Sequence, residues 1–210
     1  PENRPEHETL YDWEAGYKYT HDRFFAGVNL YYMDYKNQLI PTGELNDVGS
    51  AIRQNVPDSY RAGIELQAGL RILPELEWSG NATFSRNKIE EYEQFLDVYD
   101  ENFAFIGQES SVYEDTDIAF SPSFIANSIW SLTKDGFSAE LLTKYVSRQY
   151  MDNTQTDSRS IDPYLVNDLR LGYSFTSVPV LSGLAANLQI NNLFDETYES
   201  NGYTFGYIVG

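Results

Sequence analysis

A run of carboxylates is the feature of this sequence best suited to binding chemistry. The segment 90–117 contains ten acidic residues and no Lys or Arg. These residues are Glu90, Glu91, Glu93, Asp97, Asp100, Glu101, Glu109, Glu114, Asp115 and Asp117. Clustered carboxylate oxygens suit calcium or a cationic ligand, but the spacing is not that of a calcium-binding loop. The alternative, which we favour, is a solvated and mobile surface loop, because charge runs usually form solvated faces.

Other chemistries find little support in the residue types. The chain has no Cys, which excludes a thiolate metal site, a Cys nucleophile and a disulfide framework. Its two histidines, His7 and His21, both lie near the N-terminus, and no G-x-S-x-G motif is present. We therefore predict that the protein is not an enzyme and holds no metal or cofactor. A net charge of −18 also disfavours nucleic acid, because binding phosphates requires clustered Lys and Arg.

The elements that must position these residues are β-strands. Between Tyr60 and Ile72, apolar residues at even positions alternate with polar residues and glycines at odd positions, which places the two sets on opposite faces of a sheet. The same alternation runs through 24–32, 76–85, 137–145, 167–175 and 184–191, and the less regular segments 9–19 and 124–132 also fit strands. The sequence thus predicts about eight strands.

Strand length and loop length indicate a membrane. The predicted strands reach roughly 11–16 residues, or about 36–53 Å at about 3.3 Å per residue. That exceeds the apolar band of an outer-membrane barrel, about 25 Å. Tight turns are predicted at 20–22, 73–75 and 134–136, and long polar loops near 40–56, 90–120 and 151–163, with an intermediate turn at 177–183. Pro41 is predicted in a connection and Pro57 at a strand start, so that no proline interrupts a strand.

The predicted fold is therefore all-β, an antiparallel transmembrane β-barrel segment, with short periplasmic turns and long extracellular loops. The polar set predicted to face the lumen is Arg61, Glu65, Gln67, Arg71, Asp168 and Arg170. The apolar set predicted to face lipid is Ile64, Leu66, Leu70, Trp78, Leu169 and Leu171. The lumen set either contacts substrate or serves solvation, internal pairing and contact with a plug, and the second interpretation is favoured.

Aromatic residues cluster near the predicted strand ends. We interpret them as an interface girdle, in which amphipathic rings lie at the depth of the lipid headgroups. Ordinary β-propensity is the alternative explanation. The residues concerned are Tyr11, Trp13, Tyr17, Tyr31, Tyr32, Tyr35, Tyr145 and Tyr150.

The segment 188–198 resembles the signature near the C-terminus of TonB-dependent receptors, an apolar-alternating strand followed by Asn-Leu-Phe-Asp and a Tyr three residues later. The matching residues are Asn192, Leu193, Phe194, Asp195 and Tyr198. The segment 164–173 resembles the preceding strand of the family, and 121–124 resembles the entry to an earlier strand. The resemblance extends over most of the chain.

This resemblance implies a barrel of about 22 strands closed inside by an N-terminal plug. Such receptors import iron-siderophore complexes, cobalamin or oligosaccharides across the Gram-negative outer membrane, and TonB supplies the energy through a box before the plug. The implied partners are outer-membrane lipid, TonB and a surface lipoprotein. Residues 1–210 would then form one partial barrel domain of about eight strands, roughly strands 14 to 21. The plug, the first half of the barrel and the last strand would lie outside it.

Two alternatives remain open. A self-contained eight-strand outer-membrane barrel, acting as an adhesin or structural anchor, would require the 9–19 strand to pair with the 184–194 strand. A soluble all-β binding module would require the apolar face to be packed in a dry core between two sheets.

Overall fold

The computed structural model describes residues 5–175 and 183–210, so most of the predicted 177–183 turn lies outside the described residues. The strands are β1 (Thr9–Thr20), β2 (Phe24–Leu45), β3 (Ala51–Leu73), β4 (Leu76–Tyr99), β5 (Phe105–Asp117), β6 (Phe124–Lys134), β7 (Phe137–Val146), β8 (Gln149–Tyr150), β9 (Ser160–Ile161), β10 (Tyr164–Ser174), β11 (Ala185–Ile190) and β12 (Tyr207–Val209). A single 3-10 turn covers Asp157–Arg159. None of the described residues forms a helix that is long and apolar enough to cross a membrane.

Eight of these strands form one continuous antiparallel path, as predicted. Their order is β1-β2-β3-β4-β6-β7-β10-β11, with β5 and β12 added to β4. Within the described residues, β1 pairs only with β2, and β11 pairs only with β10. The sheet is therefore open, and the β1–β11 pairing that a self-contained eight-strand barrel requires is not formed in the described part of the chain.

Three tight turns connect neighbouring strands at one end of the sheet, where the sequence places them. The flanking pairs are Thr20↔Phe25, Leu73↔Leu76 and Lys134↔Phe137. In the third turn, Asp135 and Gly136 both have positive φ, 50° and 86°. Two successive residues of positive φ match the right-handed twist of a hairpin, and Asp-Gly adopts them at low cost.

Two of the three predicted long loops are hairpins instead. β2 and β3 pair up to Leu45↔Ala51, and β4 and β5 pair up to Tyr99↔Phe105. The turns between them are closed by side chains, because Asn46 Oδ1 accepts from the Val48 and Ser50 N–H groups, and Asp100 Oδ1 accepts from those of Asn102 and Ala104. The polar composition suggested loops, but cross-strand pairing satisfies the backbone there as well.

The placement of two prolines was also predicted incorrectly. Pro41 lies inside β2 and Pro57 inside β3. Pro57 is opposite Asn37, which has a φ of 54°, and neither residue joins the ladder between Lys36↔Asp58 and Gln38↔Val56. Pro41 lies beyond the last residue of β2 that pairs with β1, where β2 has a strand neighbour on one side only. Proline is tolerated at such irregular and edge positions.

The sheet therefore has two regions, which we name here. The basal sheet comprises β1, β6, β7, β10 and β11, with β2 up to Lys36, β3 from Ser59 and β4 up to Arg86. The hairpin extension comprises residues 37–58 and 87–118. A small hydrophobic core lies in the extension. It is formed by Ile40, Val56, Ile89, Tyr92 and Ile118.

Candidate functional site

The strand registers bring the predicted polar residues together on one face of the basal sheet. Directly paired residues of an antiparallel sheet share a face, and the pairing Arg71↔Glu77↔Ser131↔Glu140↔Arg170 links β3 to β10. Along β3, Arg61, Glu65, Gln67 and Arg71 have the same parity. The residues of the predicted lumen set thus share a single face.

Most of these polar groups contact neighbours on the same face. Arg71 Nε lies 2.7 Å from Glu77 Oε1, and Arg170 Nη1 lies 3.6 Å from Glu140 Oε2. Arg61 Nη1 donates to Ser121 Oγ at 3.0 Å. Glu65 accepts from Asn29 Nδ2 at 3.3 Å, and Asp168 accepts from the Asn192 N–H at 2.8 Å. The Gln67 side chain occupies the space that a Cβ at Gly27 would fill. This face is therefore an ion-paired polar surface.

The opposite face is apolar and uncovered. The same registers link Leu70↔Trp78↔Trp130↔Leu141↔Leu169, which places the predicted lipid set on this face. Ile64 is 42% exposed, Leu66 42% and Leu70 43%, while Trp78, Leu169 and Leu171 are half-buried. The only second sheet among the described residues is the two-stranded β8–β9 pair. The dry core between two sheets that a soluble module requires is not formed there.

Aromatic rings form two rows across this apolar face. The row nearer the extension joins Trp13 to Tyr32, Tyr32 to Tyr60, Phe84 to Phe124 and Phe124 to Tyr145, with ring centroids 4.6–5.9 Å apart. The row at the tight turns joins Tyr19 to Phe24 and Trp78 to Trp130.

The two rows are separated along the strands. On β4, Trp78 and Phe84 are six residues apart, about 20 Å along the strand at about 3.3 Å per residue. At the tilt of about 35–45° usual in outer-membrane barrels, this spans about 15 Å of the apolar band, which is about 25 Å tall. The prediction that Tyr31 and Tyr35 belong to the girdle is wrong. Their parity on β2 is opposite to that of Tyr32, and the Tyr31 ring lies against Gly63 on the polar face.

The predicted 151–163 loop folds onto the hairpin extension. Asn153, which is fully buried, donates from Nδ2 to the Pro41 carbonyl at 2.8 Å and accepts at Oδ1 from the Ala119 N–H at 2.8 Å. Asp152 is 1% exposed, and its Oδ2 lies 3.1 Å from Arg159 Nη1. Buried polar groups with such partners fix the loop in one arrangement.

Gly43 is the point at which three segments of the chain meet. Its φ is +95°, and a Cβ at this position would contact the Met151 carbonyl, Asp152 Cβ at 2.9 Å and Thr204 Oγ1 at 2.9 Å. The Thr204 N–H donates to the Gly43 carbonyl at 2.8 Å. Glycine is required here both for the backbone conformation and for the close approach. The sequence analysis missed this position, and no sequence pattern marks Asn153 either.

A cleft opens between the two hairpins of the extension. β3 and β4 pair only as far as Ser59↔Ile89, after which β3 continues with β2 and β4 continues with β5. The resulting cavity has a volume of about 580 Å³. Its lining includes Glu44 and Thr42 from β2, Arg53 from β3, and Gln94 and Asp97 from β4.

The electrostatics of this cleft are acidic. Partial burial raises the pKa of the Glu44 carboxyl, and the carboxylates of Asp97 and Asp152 raise it further. Burial also raises the pKa of the Tyr92 hydroxyl to about 12. Tyr92 therefore remains a neutral hydrogen-bonding group at physiological pH.

The ten acidic residues at 90–117 lie on this extension. They occupy β4, β5 and the turn between them, and each is exposed or half-buried. The β-hairpin corrects the prediction of a loop, and the exposure of the acids agrees with a solvated surface. Lys88 Nζ lies 3.0 Å from Asp117 Oδ1 at the base. Among the described residues, no group of three or more His, Cys, Asp or Glu side chains is arranged to hold a metal ion.

The motif at 192–198 has a structural role in the described chain. The Asn192 N–H donates to Asp168 Oδ1 at 2.8 Å, and the Asn192 side chain exchanges hydrogen bonds with the backbone of Glu196. Tyr198 stacks on Tyr164 with ring centroids 4.6 Å apart. Asn192 and Asp195 have positive φ, 50° and 54°, so the motif forms a tight turn bound to β10 after β11 ends.

Solved structures share this architecture. The ferric yersiniabactin uptake receptor FyuA from Yersinia pestis superposes with a TM-score of 0.67 at 20% identity, over 95% of this chain and 27% of that protein. The G324V mutant of the ferric enterobactin receptor PfeA from Pseudomonas aeruginosa gives a TM-score of 0.61 at 21% identity. The match covers 95% of this chain and 27% of that protein. The copper transporter OprC gives 0.65 at 16% identity, over 94% and 26%.

The chain thus spans about a quarter of the length of these structures. A comparison with curated proteins gives no match. A family model described as "TonB dependent receptor-like, beta-barrel" matches residues 6–193. That match covers most of the chain, agrees with the open antiparallel sheet and its two faces, and shows that this chain belongs to the TonB-dependent receptor-like β-barrel family.

Proposed function

We propose that this chain forms part of the wall of an outer-membrane active transporter that imports a scarce nutrient with energy supplied through TonB. The observation that carries the proposal is the open two-faced sheet, in which the outer edges of β1 and β11 pair with no further strand of residues 5–175 and 183–210. Backbone groups on an open edge cannot be satisfied in lipid, so both edges need further strands. In this proposal, the rest of the barrel and a plug complete the transporter.

The two faces have different environments in this proposal. The apolar face, with Leu66 and Leu70 at its centre and an aromatic row at each end, contacts the lipid of the Gram-negative outer membrane. The ion-paired face, with Arg61, Glu65 and Arg170, lines the lumen beside the plug. The hairpin extension projects from the cell, where longer connections occur in such barrels. The tight turns face the periplasm.

The transported nutrient is a siderophore-bound metal, cobalamin or an oligosaccharide. Among the similar structures, FyuA is a ferric yersiniabactin uptake receptor, PfeA is a ferric enterobactin receptor and OprC is a copper transporter. The partners in this proposal are TonB, outer-membrane lipid and a surface lipoprotein that presents the ligand. The chain contributes no catalytic step.

Uptake in cells tests this proposal. Cells producing the intact receptor are supplied with labelled ferric siderophores, cobalamin or oligosaccharides, with and without TonB. We expect accumulation of one ligand class that is lost without TonB, while binding at the cell surface persists. Equal accumulation in both strains, or surface attachment of cells without any uptake, would contradict active transport and favour an adhesin or anchor.

A further inference from the structure

The cleft between the two hairpins of the extension is a cavity lined by residues of both hairpins. Gln54 crosses it, donating from Nε2 to the Glu93 carbonyl at 3.0 Å. Gly206, in the segment before β12, also lines the cleft. Tyr92, which is 2% exposed, and Gln94, which is 7% exposed, form buried parts of the wall. The Gln54–Glu93 hydrogen bond thus links the two hairpins across the cleft.

The size of the cleft suits a small molecule. Its volume of about 580 Å³ lies within the range of about 300–1,000 Å³ that is usual for small-molecule sites. The wall is mixed in character, since the Phe95 ring is 46% exposed beside several side-chain amides. Amide groups hydrogen-bond hydroxyls in either direction, and an exposed ring provides an apolar surface for the C–H face of a sugar.

The charge of the cleft selects among polar ligands. Three carboxylates line it, those of Glu6, Glu44 and Asp97, against one cation, Arg53. The Asp97 carboxylate already accepts from Gln108 Nε2 at 3.1 Å, which orients it within the wall. A carboxylate accepts strongly from an ammonium group, whereas a bound anion would be desolvated beside like charges.

We propose that this cleft binds a small cationic, hydroxyl-rich ligand of the amino-sugar type, with Glu44 and Asp97 as acceptors for its ammonium groups. Phe95 covers one face of a sugar ring, and the wall amides bind hydroxyls. The inference rests on the proposed function only in placing the hairpin extension outside the cell. It makes the extension a selective contact site for one ligand class.

Binding to the intact receptor in detergent micelles tests this inference by calorimetry with three probes of similar size. The probes are the glucosamine disaccharide with free, protonated amines, its neutral N,N′-diacetylated form, and the digalacturonate anion. We expect measurable affinity for the first, weaker affinity for the second and none for the third. Tighter or equal binding of the anion would overturn the assignment, as would no binding of the free amine form.

Matched variants locate the site. Glu44→Gln and Asp97→Asn should each weaken binding of the free amine probe about tenfold, as expected for loss of a charge-assisted hydrogen bond. Asp47→Asn, an exposed acid in the 46–50 turn outside the cleft, should leave the affinity unchanged. Ile52→Arg, at an exposed position of the lining, should abolish cation binding without affecting folding. Equal effects of Asp47→Asn and Glu44→Gln would overturn the location.

The outcome is separable from the transport proposal. Binding in micelles requires neither TonB nor uptake. A receptor that imports another ligand with TonB but does not bind the free amine probe would leave the proposed function standing and refute this inference. A receptor that binds the probe but shows no TonB-dependent uptake would support this inference and refute the proposed function.

Discussion

Ile64 and Ile89 lie on neighbouring strands of the same sheet, yet one is 42% exposed and the other is completely buried. Ile64 belongs to the basal sheet, where apolar side chains point away from the protein and no described segment covers them. Ile89 belongs to the hairpin extension, where a small core is covered by residues 118–119 and by the 151–154 segment. The surroundings of the apolar side chains therefore change along the strands. In the basal sheet no described segment covers them, and in the proposed function they face lipid, whereas in the extension they pack against the protein itself.

The polar groups differ between the two regions in the same way. The basal sheet keeps its ion pairs half-exposed, as Arg170 and Glu140 show with side-chain exposures of 49% and 42%. The 151–154 segment that covers the extension buries Asp152 and Asn153 almost completely, with Asn153 bonded to Pro41 and Ala119 and Asp152 paired with Arg159 of the same loop. Exposed pairs contribute little to stability, whereas buried polar networks fix one conformation. The extension is thus built like a small soluble domain.

The largest expected effect comes from the core of the extension. Ile89→Ala should lower the local stability of the extension by about 2–5 kcal/mol, because it leaves a cavity between Val56, Tyr92 and Ile118. Hydrogen exchange of the amides of residues 88–99 measures it. Ile64→Ala is the matched control, and it should leave exchange in the extension unchanged. Equal acceleration by both variants would show that the two regions unfold as one unit.

A charged residue introduced at the centre of the apolar face tests whether that face contacts lipid. Leu66→Arg should destabilise the receptor refolded in lipid vesicles by about 2–4 kcal/mol, the cost of a cation near the bilayer midplane. Gln67→Arg, at the next position of β3 and on the opposite face, should lower the stability far less. Urea denaturation of both variants in vesicles provides the comparison. If the two substitutions cost the same, the assignment of the faces to lipid and lumen is wrong.

The smallest expected effect concerns the contact between the extension and the segment that covers it. Gly43→Ala should cost about 1–3 kcal/mol for the positive φ, and its Cβ should also displace Met151 and Asp152. Cleavage by trypsin at Arg159 should therefore accelerate. Gly49→Ala is the control, because Gly49 also has a positive φ of +78° but nothing lies within 4 Å of its Cβ position. Protection of Arg159 in both variants would contradict the role given to Gly43.

The parts of the fold that could be predicted are those with a local signal. The alternation between Tyr60 and Ile72 predicted that Leu66 and Gln67 lie on opposite faces of one strand, because side chains on a strand alternate with a period of two, and the registers of β3 with β2 and β4 agree. The tight turn at 134–136 follows from Asp-Gly, which adopts positive φ at low cost. The hairpin extension has no such signal, since its strands combine polar residues on both faces with prolines. Its pairing was therefore mistaken for loops.

The two-faced antiparallel path of eight strands and the resemblance to a family could be predicted from the sequence, because alternation, turn chemistry and a short motif each lie within a few neighbouring residues. The surroundings of the extension and the position of its cleft become visible only in the folded chain. Asn153 bonds to Pro41 across 112 positions of the sequence, and Gly43 meets Thr204 from the other end of the chain. No local pattern encodes contacts of this separation, since they form only when several hairpins have folded and packed against one another.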